Sequence, residues 1–328
     1  MTLGGKKFEE IAGNGQSAEN FFRQRPYRNF FQYPPININA STLNGVDWID
    51  ELGLEIDRSG EDFTAFVSMP FCRIRCNSCP YFVALLPSNR DQNSIATAYT
   101  GKLLKQFGVF SGARRFTTAK CRAVYIGGGT ASLLSPTNIE EIIKALKSGL
   151  NCASDMEITL EGNPHEFNLP YLLQVKKAGV NRISIGYQSS ANDILKDVLN
   201  SPHTAGEGLS AVHSSLAAGF DTVNVDLLYR LPGQTFEQWK RDVKTVISLR
   251  PENVTTYEYV VHTRTVTERR LAEDRLPPPV IRSEAQAWYE WMRGEMQEAG
   301  YVEPRTIPSR SQGIASATPT TPTARDAS

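Results

Sequence analysis

No stretch of about eighteen uninterrupted apolar residues occurs anywhere in the 328-residue chain, so the sequence predicts no membrane-spanning helix. Near the start, Lys6, Lys7, Glu9 and Glu10 break up what a secretory signal would need as an apolar core, and a soluble, cytoplasmic protein is expected. An excess of one charge is also missing. Thirty-five basic residues face 35 acidic ones, which removes any global field drawing the chain to nucleic acid or an anionic membrane. Small-molecule chemistry is the better expectation, with neither nucleic acid nor membrane as a partner. Cysteine is scarce and odd in number: of five, three lie within the eight positions 72–79. That crowding cannot make a disulfide framework and instead suggests reduced thiols serving a metal centre. Cys121 and Cys152 stand alone, and for each a small buried or idle thiol is the simpler reading.

The chain does hold enough apolar residues, 40%, to bury a large core. Between residues 62 and 299, short β-rich runs alternate with stretches whose apolar residues recur three and four apart. The predicted strands are Phe63 to Ser68, Arg122 to Ile126, Glu157 to Leu160, Arg182 to Ile185, Thr222 to Leu228 and Val254 to Val260. Helix punctuation accompanies them. Ser135 with Pro136 predicts a helix start with Gly149 as its left-handed cap, and Thr204/Glu207, Thr235/Gln238 and Ser283/Gln286 fit capping boxes. Gly179, Gly219 and Gly300 are placed to close helices. Such alternation implies parallel strands joined by right-handed helical crossovers. The expected fold is α/β, a partial (β/α)6 barrel over residues 62–300, with a doubly wound open sheet as the competing architecture. In either, the active site belongs at the C-terminal ends of the strands.

Residues 1–61 read as a lead-in whose Phe21, Phe22, Tyr27, Phe30, Phe31 and Tyr33 interleave with arginines, and packing of these rings on the barrel is preferred to nucleic-acid stacking. Residues 301–328 read as a low-complexity tail. From Arg305 onward Ser, Thr, Ala and Pro dominate, and disorder is expected because such a composition cannot offset its ordering entropy.

The run Cys72-Arg73-Ile74-Arg75-Cys76-Asn77-Ser78-Cys79 follows the first predicted strand, which puts its thiols in a loop on the active-site rim. Spaced by three and then two residues, three thiolates can ligate three irons of a [4Fe-4S] cubane and leave the fourth open. Zinc is the alternative. It needs a fourth ligand, and none of His165, His203, His213 and His262 is near in sequence.

These cysteines, followed by Gly127-Gly128-Gly129-Thr130 after the second strand, resemble the radical S-adenosylmethionine (SAM) superfamily. Glu161-Gly162-Asn163-Pro164, Gly179 to Gln188 and Asn224 to Thr235 narrow the resemblance to the group of oxygen-independent coproporphyrinogen III oxidase, the heme chaperone derived from it, and class C radical SAM methyltransferases. The resemblance implies a [4Fe-4S] cluster at Cys72, Cys76 and Cys79 and one or two SAM molecules. Gly128 and Glu161 would touch the SAM that is cleaved, with Phe66 beside it, while Gly129, Thr130, Gln188, Asp226 and the backbone near Val260 would line a second SAM site. It further implies a flavodoxin- or ferredoxin-type electron donor and an aromatic or tetrapyrrole substrate. The expected reaction is methyl or methylene transfer to an aromatic heterocycle, with coproporphyrinogen decarboxylation or non-catalytic heme binding and delivery as alternatives. The sequence departs from the pattern in several places. Phe66 replaces a tyrosine, Tyr81 a fourth cysteine and Arg230 a glycine, and an arginine is missing around Asn200 and Ser201. A C-terminal domain that closes the site in relatives is expected to be missing as well, and with it tight coupling of SAM cleavage to product.

Overall fold

A computed structural model describes residues 2–3, 6–7, 62–81, 83–112, 114–303 and 314–319. Backbone contacts divide the chain into two compact units, 1–43 and 44–328. In the first, Thr2–Leu3 and Lys6–Lys7 pair as an antiparallel ladder. The aromatic residues between Phe21 and Tyr33 lie outside the described residues.

Six parallel strands dominate the second unit: β1 (Phe63–Met69), β2 (Cys121–Gly128), β3 (Cys152–Gly162), β4 (Arg182–Gln188), β5 (Thr222–Tyr229) and β6 (Asn253–Glu258). Each pairs with its neighbour in sequence, so the spatial order follows the chain order without reversal. A doubly wound sheet reverses at a switch point. This one winds in a single sense, as a partial barrel does.

The two faces agree with that reading. Ile183, Ile185 and Tyr187 of β4 and Val223, Val225 and Leu227 of β5 share one core cluster with Ile139, Ile142, Leu172, Val212, Trp239 and Val243 from the helices. The alternate residues, Ser184, Asn224 and Asp226, lie on the opposite, polar face, because successive side chains in a strand point to opposite sides.

The longer helices are α1 (Gln92–Phe110), α2 (Pro136–Gly149), α3 (Leu169–Ala178), α4 (Ala205–Ala218), α5 (Phe236–Leu249), α6 (Val266–Ala272) and α7 (Arg282–Glu298), with a single turn at Arg114–Thr118 before β2. Ser135 caps α2 as expected, and the boxes at Thr204/Glu207 and Thr235/Gln238 both form. Two expectations need correction. Gly149 is the last residue of α2 rather than a left-handed cap; a Cβ there would meet the Phe107 ring at 2.7 Å, so the position is set by close helix packing. Ser283 lies inside α7, whose N-cap is Ile281 without a side-chain bond, so the third box is not made.

Val260 falls two residues beyond the end of β6 rather than within it. Within residues 301–328, expected to lack structure, Tyr301–Val302 and Ile314–Pro319 are strands. Ile314–Pro319 pairs antiparallel with β6. The free ladder of an edge strand accepts any backbone that offers matching groups, whatever its side chains. Residues 304–313 and 320–328 lie outside the described set.

Candidate active site

The C-terminal ends of β1 and β2 are sewn together by backbone. Gly129 N–H donates to Met69 O (2.7 Å) and Thr130 N–H to Phe71 O (2.8 Å). A Cβ on Gly129 would come 2.6 Å from Phe71 O and 3.0 Å from Cys72 Sγ, which only glycine avoids. The Thr130 hydroxyl donates to Cys72 Sγ at 3.4 Å. The glycine turn is therefore the floor under the cysteine loop, and its Gly129 and Thr130 are used there.

The loop is fastened on its other side as well. Asn77 donates through its amide N–H to Leu199 O (2.8 Å) and through Nδ2 to Val198 O (3.0 Å). Asn200 Nδ2 reaches Arg75 O at 3.0 Å. Asn200 thus binds the cysteine loop directly. Arg73 pairs with Glu166 at 2.5 Å, tying the loop to the turn after β3.

Burial raises the Cys72 and Cys76 thiols, Cys76 to about 12, and neighbouring cysteines add to the effect. Thiols so placed deprotonate when a cation compensates for the lost hydration, as metal ligation does. The three cysteines share one short loop, and Cys72 and Cys76 are each coupled in charge to Cys79; a cubane cluster would present a separate iron to each. Among the described residues no three His, Cys, Asp or Glu side chains converge on a point suited to a single metal ion. His165 is paired with Glu207, and both ring nitrogens of His203 are engaged, by Asn163 and Ser201 at Nδ1 and Tyr187 O at Nε2.

Across the polar face, Glu161, Ser184 and Asn224 stand side by side in register on β3, β4 and β5. The Glu161 carboxylate lies over Gly127, where a Cβ would fall 2.5 Å from Oε2. The Tyr125 phenol and the Gly128 backbone lie close to it and favour its charged form. Burial, with Asp226 adding to it, holds Glu161 up at about 7. Burial also raises Asp226, to about 6, against hydrogen bonds from Asn224 Nδ2 (2.8 Å) and Ser184 Oγ (3.2 Å). Asp226 was expected at a strand end. It sits three residues before the end of β5, with its oxygens held by those two neighbours.

Three solvent-exposed aromatics border this pair. Phe66 (62% exposed) stacks on Tyr125 with centroids 5.8 Å apart, while the phenols of Tyr81 (55%) and Tyr257 (38%) are raised by burial first, with Cys79 and Glu161 adding to it at Tyr81 and Asp226 and Glu161 at Tyr257. The polar inner face of the sheet, the chamber of the barrel, thus carries two carboxylates with aromatic rings about them, and the cysteine loop follows the C-terminal end of β1. Among the predicted residues, Phe66, Gly128, Glu161 and Asp226 lie on or at the end of this face. Gln188 and Val260 lie farther round, at and beyond the ends of β4 and β6.

The radical SAM superfamily profile matches residues 66–246, more than half of the chain. The chain belongs to the radical SAM superfamily. Within it, the chain is 30% identical over 238 residues to the heme chaperone HemW of Lactococcus lactis, covering 73% of this chain and 59% of that protein. It is 27% identical over 243 residues to HemW of Escherichia coli, covering 74% and 61%. Among solved structures it resembles coproporphyrinogen III oxidase (HemN) from Escherichia coli, with a TM-score of 0.66 at 20% identity over 84% of this chain and 59% of that one. The chain thus spans about three fifths of the length of these relatives. Its similarities within the superfamily are to the coproporphyrinogen oxidase-like group, heme chaperone branch included. No described helix is long and apolar enough to cross a membrane.

Sequence reasoning missed the braces behind the site: Asn200, His203 and Asp242, the last accepting hydrogen bonds from Ser189, Ser190 and Gln234. Each joins segments distant in the chain, so no local pattern reveals it.

Proposed function

We propose that Cys72, Cys76 and Cys79 hold a [4Fe-4S] cluster and that the chain cleaves SAM reductively to a 5′-deoxyadenosyl radical. The observation that carries this reading is the joint between the Gly128–Thr130 turn and the cysteine loop, which sets three thiols on the rim of the chamber holding Glu161. Cys72, Cys76 and Cys79 would hold the cluster, which would supply the electron for breaking the sulfonium C–S bond, and three thiolates would leave one iron open to SAM. The chain's own residues bind and orient. Thr130 favours the Cys72 thiolate by donating to its sulfur. Glu161 is suited to accept from an ammonium or hydroxyl group. Phe66, Tyr81, Tyr125 and Tyr257 offer π faces to an adenine or an aromatic substrate and keep water from it. This lining supports methyl or methylene transfer to an aromatic heterocycle as the reaction.

A second reading, heme binding and delivery without catalysis, draws support from the relatives named heme chaperone. Coproporphyrinogen decarboxylation has less, because Tyr81 stands where a fourth cysteine is expected. The experiment is anaerobic reconstitution with iron and sulfide, incubation with SAM and dithionite, and quantification of 5′-deoxyadenosine, beside a hemin titration followed by absorbance. Deoxyadenosine above the iron-free control supports the first reading. Stoichiometric hemin binding with no nucleoside product replaces it with the second.

A further inference from the structure

Asp242 projects from α5, in the layer of helices, yet it is fully buried and its carboxylate is heavily bonded. It accepts from Ser189 Oγ (3.1 and 3.0 Å), Ser190 N–H (2.6 Å), Ser190 Oγ (2.6 Å) and Gln234 Nε2 (3.2 Å). Ser189 and Ser190 follow β4 directly, and Gln234 lies in the turn after β5. One carboxylate thereby fastens two successive strand ends. Burial of a carboxylate is costly unless its lone pairs are used, and here they are.

What precedes the two serines gives the latch its meaning. Gln188 has φ +66°, a left-handed conformation that residues bearing a Cβ rarely adopt. The ladder to β5 is irregular at that point, passing from Ile185↔Val225 to Gln188↔Leu227. The Gln188 side chain turns back over Gly186, where a Cβ would lie 3.0 Å from Nε2. It therefore runs along the same face of β4 that carries Ser184. Such a conformation persists when the surrounding structure over-determines it, and the bonds from Asp242 to the next two residues do so.

We propose that Asp242 is a positioning residue: by fixing Ser189 and Ser190 it holds Gln188 left-handed, so that the carboxamide is presented to SAM bound in the chamber. This rests on the SAM-binding reading above. A mere brace for α5 would lose stability on substitution without acting through Gln188.

The test uses the full reconstituted chain, SAM affinity by equilibrium dialysis, and hydrogen exchange of the segment 186–191 without SAM. Asp242→Asn and Gln188→Ala should each weaken SAM binding about tenfold, the loss of one well-placed hydrogen bond. The double variant should be no weaker than Gln188→Ala alone, and Asp242→Asn should speed exchange in the segment. Ser190→Ala should show the same pattern at about threefold, a fraction of that bond. A folded Asp242→Asn protein with wild-type SAM affinity overturns the proposal, as does a loss that persists undiminished in the Gln188→Ala background. If Asp242→Asn does not fold, the Ser190→Ala pair decides by the same criterion. Failure of the wild-type chain to take up SAM strikes the SAM reading instead; the latch then stands or falls on whether Ser190→Ala accelerates exchange at 186–191.

Discussion

Gly127 and Gly129, two residues apart, are both glycine for want of room, but against different neighbours. At Gly129 a methyl group would press on Phe71 O and Cys72 Sγ; at Gly127 it would press on the Glu161 carboxylate and the Tyr125 ring. Gly129→Ala should therefore lower iron content per reconstituted chain, while Gly127→Ala should keep the iron and weaken SAM binding. Overpacking of this kind costs about 1 to 3 kcal/mol, which shifts a loop without unfolding a barrel. Equal iron loss in the two variants would contradict the division of labour. Glu161 makes a pH prediction. Burial, with Asp226 beside it, holds the carboxyl at about 7 against an ordinary 4.5. A raised carboxyl costs the fold nothing while both states are protonated, and progressively more as pH climbs from 4.5 through 7. Glu161→Gln should thus be near neutral at pH 4 and stabilising by about 1 to 3 kcal/mol at pH 8. Asp242, raised by burial to about 6, acts in the same direction in either protein and cancels from the difference between the two Tm profiles; Asp226, coupled to Glu161, does not, so the difference reports the Glu161–Asp226 pair. A Tm difference that does not change with pH would refute it.

At the scale of elements, the ends of β4 and β5 share a device. Each turns through a left-handed residue that is not glycine, Gln188 at φ +66° and Arg230 at φ +64°. A glycine at position 230 would suit that backbone without strain. Arginine there is compensated by its side chain, which donates to Val280 O (2.9 Å) and Tyr259 O (3.1 Å). Arg230→Ala loses the bonds and keeps the strain, whereas Arg230→Gly loses both. The glycine variant should be the more stable of the two by about 1 kcal/mol, measured by denaturant unfolding; equal stabilities would show that the backbone there is unstrained. This scale also marks where the sequence was legible. Caps at Ser135, Thr204 and Thr235 could be read because donor and acceptor lie within a few residues of each other. Gly149 could not, since packing against Phe107 depends on another helix. Nor could Asp242, whose serines lie 52 and 53 residues away.

Over the whole molecule, strands that pair in chain order, with one apolar and one polar face, make a barrel whose motif-bearing ends gather at one rim. That order was readable because the motifs fall in or just after the C-terminal part of successive strands. The strand Ile314–Pro319 was not, because edge pairing uses backbone that any composition supplies. The depth of Asp226, mid-strand and held by Ser184 and Asn224, depends on register between strands, which spacing along the chain does not encode. The central claim is the iron–sulfur site, and the most direct measurement is iron and sulfide content with electron paramagnetic resonance on the anaerobically reconstituted chain and on five single Cys→Ala variants. The account predicts about four irons per wild-type chain and a reducible cluster signal altered by SAM. That signal should be lost in Cys72→Ala, Cys76→Ala and Cys79→Ala and kept in Cys121→Ala and Cys152→Ala. Stoichiometric zinc with no reducible cluster, or a signal that survives loss of any of the three rim cysteines, would contradict it.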